Sequence, residues 1–283
     1  MQEDPAWSSL LRSIQGSDYQ LPGMEDELRA TRWALVTGVG RRIGIGAAIC
    51  RALAADGVSI CFTGWTNYDT EIYGGEHLSW HGSFAAELRE LGADAFGLEV
   101  DLSDPDAIPP LMDTIRERAS MLSILINNAA FSTNGDIDAL TAQQFDEHYA
   151  VNVRGMALLT QAFARQWTGV SGGRVVNMTS GQGLGPMPDE LAYAASKGAV
   201  EAFTTSVAPT LAARGITVNA VNPGPTDTGW MTDELKAVLL PQFPMGRIGL
   251  PEDAARLVVF LCSEEAGWIT GQVMNSEGGF WRK

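Results

Sequence analysis

Residues 37–46, Thr37-Gly38-Val39-Gly40-Arg41-Arg42-Ile43-Gly44-Ile45-Gly46, form the stretch that most constrains the fold. An apolar, β-type run at 33–37 leads into this stretch, and a helical pattern at 47–55 follows it. Glycines allow a tight turn and the close approach of a diphosphate, and the N-terminus of the following helix presents free N–H groups to it. The stretch therefore predicts a strand, a phosphate-binding loop and a helix, with these binding residues: Gly38, Gly40, Gly44, Ile45 and Gly46.

The remainder of the chain repeats the alternation of strand and helix. Short apolar runs rich in β-branched residues predict strands at 33–37, 58–63, 93–100, 123–127, 173–179, 217–222 and 272–275. Segments such as 47–55, 84–91 and 190–213 carry apolar residues at helical spacing. This order predicts an α/β fold, a doubly wound sheet of seven parallel strands with helices on both faces. Ligands of such sheets bind beyond the carboxyl ends of the strands.

Length and composition favour one large domain and exclude some classes of partner. The chain has 283 residues, of which 45% are hydrophobic, and its net charge of −15 argues against nucleic acid or an anionic membrane as a partner. It has no apolar run of about 18 residues, and its three widely spaced cysteines suggest free thiols and a cytoplasmic location. We expect the domain at 31–283. Residues 1–30 form an N-terminal extension, either a short amphipathic helix or a tail.

The charges near the glycine loop indicate which dinucleotide would bind. The second predicted strand ends in Thr63-Gly64-Trp65-Thr66, without the acidic residue that would accept a hydrogen bond from an adenosine ribose. Arg41 and Arg42 lie within the loop, where a guanidinium can bind a phosphate through two hydrogen bonds. We therefore predict NADP(H) in preference to NAD(H). The alternative is that both arginines are solvated loop charges.

The segment Tyr193-Ala-Ala-Ser-Lys197 suggests acid–base chemistry. Its i, i+4 spacing places the phenol and the ammonium on one face of a helix. A free phenol has a pKa of about 10, and a fixed ammonium beside it favours the phenolate and lowers that pKa toward neutrality. Lys197 is one of only three lysines in the chain. Taken alone, the pair could also be a surface helix pair.

Further polar residues follow the predicted strands. Ser180 ends the strand at 173–179, Asn127-Asn128-Ala129-Ala130 ends the fourth strand, and Asn152 lies in the helix that follows. The sixth strand ends in Asn222-Pro223-Gly224-Pro225-Thr226-Asp227-Thr228. Together with the glycine loop and the Tyr193–Lys197 pair, these motifs closely resemble those of the short-chain dehydrogenase/reductase family, and within it the 3-oxoacyl-carrier-protein-reductase-like branch. The resemblance covers residues 32–283.

The resemblance implies a seven-stranded Rossmann-type sheet, a nicotinamide cofactor and a homo-oligomer, commonly a tetramer. Tyr193 would donate a proton to a substrate carbonyl, or act as the base for an alcohol. Lys197 would lower the pKa of Tyr193 and bind the nicotinamide ribose. Ser180 would donate a hydrogen bond to the carbonyl oxygen, and Asn152 would hold a water linked to Lys197. The other cofactor-binding residues implied are Asp101, Leu102, Asn128, Ala129, Pro223, Gly224, Thr226 and Thr228.

Two segments depart from the family pattern. Five residues separate Gly38 from Gly44, where the usual motif has three, and the connection at 64–83 is extended and aromatic. Both lie toward the adenosine end of the predicted cleft, so they either form one remodelled flap around the adenosine phosphate or are ordinary surface loops. His77 and His81 in that connection have helical spacing, but no third ligand is evident and we expect no metal.

The predicted substrate is a moderately large, partly apolar carbonyl compound or the corresponding alcohol. The resemblance places a substrate lid at about 225–245. The expected substrate-binding residues are Phe131, Gln182, Met187, Trp230 and Met231. Two other functions stay open: an enoyl (C=C) reductase, which the longer glycine loop suggests, and a catalytically silent, cofactor-sensing scaffold. The Tyr-x-x-x-Lys spacing favours carbonyl chemistry over enoyl reduction.

Overall fold

A computed structural model describes residues 32–73 and 80–282 of the chain. The predicted extension at 1–30 and the predicted histidine pair, through His77, lie outside the described residues. No helix in the described ranges combines the length and the apolarity needed to cross a bilayer. Cys50, Cys61 and Cys262 are free thiols, as their spacing suggests, and all three are buried, which raises the pKa of each.

The described residues form a seven-stranded parallel sheet in the order β3-β2-β1-β4-β5-β6-β7. The strands are β1 (Arg32–Val36), β2 (Ser59–Gly64), β3 (Ala95–Glu99), β4 (Met121–Asn127), β5 (Gly173–Met178), β6 (Ile216–Asn222) and β7 (Val273–Asn275). Each coincides with a predicted strand to within two residues, so the predicted Rossmann-type fold is confirmed. The winding reverses between β1 and β4, and this switch point is where such sheets bind ligands.

Helices cover both faces of the sheet. They are α1 (Ile45–Ala55), α2 (Thr66–Tyr73), α3 (Trp80–Glu90), α4 (Ile108–Arg118), α5 (Ala142–Tyr149), α6 (Met156–Gln166), α7 (Leu191–Ala212), α8 (Asp233–Leu239) and α9 (Pro251–Cys262). A π-helical turn, Ala150–Gly155, joins α5 to α6. The helix predicted at 84–91 is α3, which begins four residues earlier, at Trp80. The indole N–H of Trp80 donates a hydrogen bond to the Gly40 carbonyl oxygen at 2.9 Å, which ties this first turn to the glycine loop.

The strands alternate their side chains between two apolar layers. On β1, Ala34 and Val36 join the layer beneath α1, α3 and α9, whereas Trp33 and Leu35 join the layer beneath α4, α6 and α7. All four side chains are at most 4% exposed. Each large buried side chain contributes about 1.5–3 kcal/mol through the hydrophobic effect, so these two layers fix the sheet and hence the positions of its strand ends.

The predicted connection at 64–83 contains α2 and the first turn of α3. The first turn of α2 is held at the end of β3, because the Glu99 carboxylate accepts hydrogen bonds from both the backbone N–H and the hydroxyl of Thr66. The aromatic ring of Tyr68 lies 5.6 Å from that of Phe131, between centroids. Helix α2 therefore packs along the carboxyl edge of the sheet.

Candidate active site

A cleft of about 1250 Å³ runs along the carboxyl edge of the sheet, across the switch point. Most of the predicted site residues line it: Gly38, Gly40, Arg41, Gly44, Ile45, Gly46, Asp101, Leu102, Asn128, Ala129, Phe131, Ser180, Met187, Tyr193, Lys197, Pro223, Gly224, Thr226, Thr228 and Trp230. Four predicted residues, all within the described ranges, do not line it: Arg42, Asn152, Gln182 and Met231. The cleft is long enough to bring the glycine loop and the Tyr193–Lys197 pair into one continuous site.

The glycine loop packs closely on the end of β4. Gly38 has a φ of +69°, and a Cβ at that position would lie 2.5 Å from the Cα of Ala129. Asn128 holds the loop from the other side, because its amide donates to the carbonyl oxygens of Thr37 and Gly38 at 2.8 and 3.0 Å. Gly44 is the N-cap of α1 and has no side chain to cap the helix. Because Gly44, Ile45 and Gly46 line the cleft, the first N–H groups of α1, which have no intrahelical partners, lie beside it.

The two loop arginines differ in position. Arg41 lines the cleft and donates to the carbonyl oxygen and the hydroxyl of Thr228, at 2.8 and 3.0 Å. Arg42 points away from the cleft, where its guanidinium pairs with Glu87 at 2.9 Å and donates to Ser83 at 2.7 Å. The prediction that Arg42 binds cofactor is thus not supported by its position, because a carboxylate of α3 already holds that guanidinium.

Helix α2 and the residue before it add side chains to the cleft from the connection at 64–83, for which a flap was one of the two expectations, although none of them is among the individually predicted site residues. Trp65, Asn67, Tyr68, Asp69 and Glu71 all line the cleft. The Asp69 carboxylate lies against Gly40 so closely that a Cβ at position 40 would overlap its oxygens. A carboxylate therefore faces the glycine loop from the extended connection. The sequence offered a weak signal for this, in the aromatic and acidic residues clustered after β2.

Helix α7 brings the proposed acid–base pair to the wall of the cleft. The Lys197 ammonium nitrogen lies 5.6 Å from the centroid of the Tyr193 ring and donates to the carbonyl oxygen of Met178 at 2.8 Å. Burial lowers the pKa of Lys197 to about 8. Ser180 follows β5 beside this pair, and its hydroxyl lies 3.7 Å from the sulfur of Met187. Three of the predicted catalytic residues, Ser180, Tyr193 and Lys197, thus line the same cleft.

Asn152 lies one layer behind the cleft wall, in the π-helical turn, and is 2% exposed. Its side-chain oxygen accepts from the Phe131 N–H at 2.7 Å, and its amide donates to the Phe131 carbonyl oxygen and the Ser196 hydroxyl, both at 2.9 Å. Both amide hydrogens are therefore used inside the protein. Because π-helical turns frequently occur at functional sites, this turn fits a positioning role for Asn152.

Two predicted substrate residues are displaced from the cleft by local packing. Met231 is only 5% exposed and is part of the buried interior. The amide of Gln182 is turned toward the hydroxyl of Thr179, with 3.5 Å between nitrogen and oxygen. Residues from the C-terminal segment contribute to the cleft instead, namely Gln242, Phe280 and Arg282, with Arg282 paired to the buried Glu277. Gln242 lies within the segment expected to form a substrate lid, whereas no sequence pattern pointed to Phe280 or Arg282.

The fold and cleft define a Rossmann-type α/β protein. A model of the family described as enoyl-(acyl carrier protein) reductase matches residues 38–281. The chain is 51% identical over 251 residues to YjdA of Bacillus subtilis, an uncharacterized oxidoreductase, covering 88% of this chain and 96% of that one. It is 32% identical over 257 residues to the 3-oxoacyl-(acyl-carrier-protein) reductase FabG of Staphylococcus aureus, covering 90% and 100%. A short-chain dehydrogenase of Burkholderia cenocepacia, solved in complex with NADP, superposes with a TM-score of 0.77 at 34% identity, covering 89% and 98%.

The chain belongs to the short-chain dehydrogenase/reductase family. It is an oxidoreductase of that family and is similar to the 3-oxoacyl-acyl-carrier-protein-reductase branch.

Proposed function

We propose that this protein is an NADP(H)-dependent oxidoreductase that interconverts a ketone and a secondary alcohol, with Tyr193 as the general acid/base. The observation that carries the proposal is the placement of Ser180, Tyr193 and Lys197 on one wall of a cleft that continues to the glycine loop. A hydroxyl, a phenol and a buried ammonium beside a dinucleotide-sized cleft are the groups that carbonyl reduction requires.

The residues of the cleft fit a nicotinamide dinucleotide. The glycine loop and the N-terminus of α1 would offer N–H groups to the diphosphate, and Asp101 and Leu102, which also line the cleft, would contact the adenine. Pro223, Gly224, Thr226 and Thr228 would hold the nicotinamide end. When bound, the cofactor supplies or accepts the hydride.

A preference for NADP(H) is supported by three observations. The end of β2 carries no acid, Arg41 faces the cleft, and a relative of known structure was solved with NADP. Arg41 could reach a phosphate by releasing Thr228, which it now holds through two hydrogen bonds. Asp69 opposes this preference, because its carboxylate lies at the same glycine loop. The attraction of Arg41 and the repulsion of Asp69 for a cofactor phosphate therefore together set the selectivity for NADP(H) over NAD(H).

We call the part of the cleft formed by Ser180, Tyr193 and Lys197 the catalytic wall. Each of its side chains has a defined task in reduction. Negative charge builds on the carbonyl oxygen, where the Ser180 hydroxyl donates a hydrogen bond and Tyr193 donates the proton. The Lys197 ammonium stabilises the phenolate left on Tyr193, since it is fixed by the Met178 carbonyl oxygen at 2.8 Å from its nitrogen. Oxidation of an alcohol uses the same groups in reverse.

The cleft near this wall favours a partly apolar substrate. Phe131, Met187, Trp230 and Phe280 line it, alongside polar backbone of the strand ends. We further propose that the enzyme works as a homo-oligomer, a tetramer or a dimer, as the family resemblance implies.

A substrate panel tests the proposal. Purified enzyme is given NADPH or NADH with ketones, β-ketoacyl thioesters and enones, and loss of the reduced cofactor is followed by absorbance. We expect turnover of at least one carbonyl class and a higher kcat/KM with NADPH than with NADH. The second candidate, enoyl reduction, takes its support from the description of the matching family model. Turnover restricted to the C=C bond of enones would establish it and reject the carbonyl proposal.

A further inference from the structure

His148 is a buried residue next to the catalytic wall that takes no part in the chemistry proposed above. It lies on α5, four residues before Asn152, and is 0% exposed. Its Nδ1 lies 2.6 Å from the carbonyl oxygen of Gln144, and its Nε2 lies 3.2 Å from the backbone nitrogen of Thr133. Both ring nitrogens are therefore committed to backbone groups.

These contacts specify the protonation state of the ring. The Thr133 N–H is a donor, so Nε2 must accept and the hydrogen must be on Nδ1, facing the Gln144 carbonyl oxygen. Burial lowers the pKa of His148 and the charge of Lys197 acts in the same direction, against the Gln144 carbonyl and Glu147. His148 is thus a neutral imidazole at pH 7.

The faces and edges of the imidazole contact two residues of the cleft. Its ring centroid lies 5.0 Å from that of Phe131 in an edge-to-face arrangement. The centroid of the Tyr193 ring lies 6.3 Å away, with 71° between the ring planes. Both arrangements fall in the favourable range for aromatic pairs. His148 therefore packs between a substrate-facing aromatic residue and the proposed proton donor.

The side chains of α5 and the π-helical turn bind the cleft-wall segment 131–134 at successive residues. Asn152 satisfies both backbone groups of Phe131, and His148 accepts from the N–H of Thr133. The amide of Gln144 donates to the carbonyl oxygen of Asn134 at 3.0 Å. This segment has no strand pairing over 131–133, so these side chains are what fix its backbone.

We propose that His148 is a positioning residue: as a neutral Nδ1–H imidazole it clamps segment 131–133 and holds Phe131 and the Tyr193 ring in the geometry that binds and protonates substrate. It does not line the cleft, so it acts through these two side chains rather than on substrate. The predicted effect on turnover rests on the proposed function, whereas the clamp itself does not.

Three variants separate a positioning role from a general effect on stability. In His148→Leu the Thr133 N–H loses its acceptor, whereas in His148→Gln the amide oxygen can replace Nε2. Thr204→Val is the matched control: Thr204 is also 0% exposed, donates to the Val200 carbonyl oxygen and accepts from the Asn177 amide, and lies outside the cleft. It removes two buried hydrogen bonds without touching the catalytic wall.

The readouts are Tm, kcat, KM for the carbonyl substrate, Kd for NADPH, and amide hydrogen exchange of segment 131–133. For His148→Leu we expect kcat/KM to fall by about tenfold to 100-fold, with kcat reduced as well, because a displaced wall misaligns the substrate with the Tyr193 proton donor. Exchange at Thr133 should accelerate at least about tenfold, because its hydrogen bond is lost. The Kd for NADPH should stay within about twofold of the wild-type value. His148→Gln should recover most of the lost kcat/KM and most of the lost exchange protection at Thr133.

The proposal is overturned if His148→Leu leaves kcat/KM and the Thr133 exchange rate at wild-type values. It is equally overturned if Thr204→Val, at a matched loss of Tm, lowers kcat/KM as much, or if His148→Gln melts like the wild type and restores neither readout. If the wild type turns over no carbonyl in the panel, the proposed function fails. The exchange of Thr133 in the three variants then decides the clamp on its own.

Discussion

Replacing Lys197 by methionine is predicted to stabilise the cofactor-free protein while removing turnover. Lys197 is 3% exposed, and burial lowers its pKa from 10.5 to about 8. One pKa unit corresponds to about 1.4 kcal/mol, so keeping this ammonium charged in the folded state at pH 7 costs about 3 kcal/mol. Methionine has a similar length and carries no charge.

The expected gain is smaller than that cost. The Met178 carbonyl oxygen would lose its donor in Lys197→Met, which costs about 1 kcal/mol or more. The net gain is therefore about 2 kcal/mol, or an increase in Tm of about 4 °C for a domain of this size. Turnover should be lost, because no ammonium would then stabilise the Tyr193 phenolate.

The sign of the pH dependence gives a second, independent result. The folded-state pKa of Lys197 lies below its unfolded value, so between pH 8 and 10.5 the unfolded chain binds more protons at this site. Wild-type stability should therefore gain on that of Lys197→Met as the pH rises through this window, and the two Tm values should converge.

Thermal melts of both proteins without cofactor, at pH 7 and at a pH near 10, provide the measurement. Lys236→Met is the control, because it removes a lysine whose ammonium forms a surface ion pair with Asp227 at 2.8 Å. The Tm of this variant should be slightly lower than that of the wild type at pH 7. A folded Lys197→Met that melts below the wild type at pH 7, or a Tm difference that does not shrink toward pH 10, would refute the reasoning.

Three further predictions concern the glycine-loop end of the cleft. Arg41→Ala should lower the ratio of kcat/KM with NADPH to kcat/KM with NADH by roughly tenfold. Arg42→Ala should leave this ratio within about twofold of the wild-type value, because Arg42 is paired with Glu87. Equal effects of the two substitutions would reject the assigned difference. Asp69→Asn should lower the Kd for NADPH by about threefold at low salt and less at high salt; a weaker NADPH complex would contradict the assigned repulsion. Gly38→Ala should lower Tm and weaken NADPH binding, at a cost of at least about 1 kcal/mol for its positive φ alone; an unchanged Tm would contradict the packing described for Gly38.

The regular part of the fold, and the presence of Tyr193 and Lys197 together at the cleft, were predictable from local sequence. Consecutive apolar residues such as Val175-Val176 in β5 are buried on both faces of a parallel sheet, so a continuous apolar run identifies the strand. The pair Tyr193 and Lys197 depends only on helical spacing within α7, a local property.

The remaining site features depend on contacts between distant residues, which spacing does not encode. Arg42 was predicted to bind phosphate, yet a partner 45 residues later, Glu87, takes its guanidinium. Asp69 reaches Gly40 through α2, a helix with little apolar periodicity of its own. Met231 looks like a pocket residue in the sequence but is buried, because an apolar side chain near a cleft packs inward as readily as it lines the cleft.

Conversion of Tyr193 to phenylalanine tests the central claim most directly, since it removes one oxygen and leaves the ring packed against His148. With the best carbonyl substrate of the panel and saturating NADPH, we predict that kcat falls by at least about 100-fold, as expected for loss of a positioned general acid. The Kd for NADPH and the Tm should remain near their wild-type values. Turnover close to that of the wild type would contradict the assignment of Tyr193 as the proton donor.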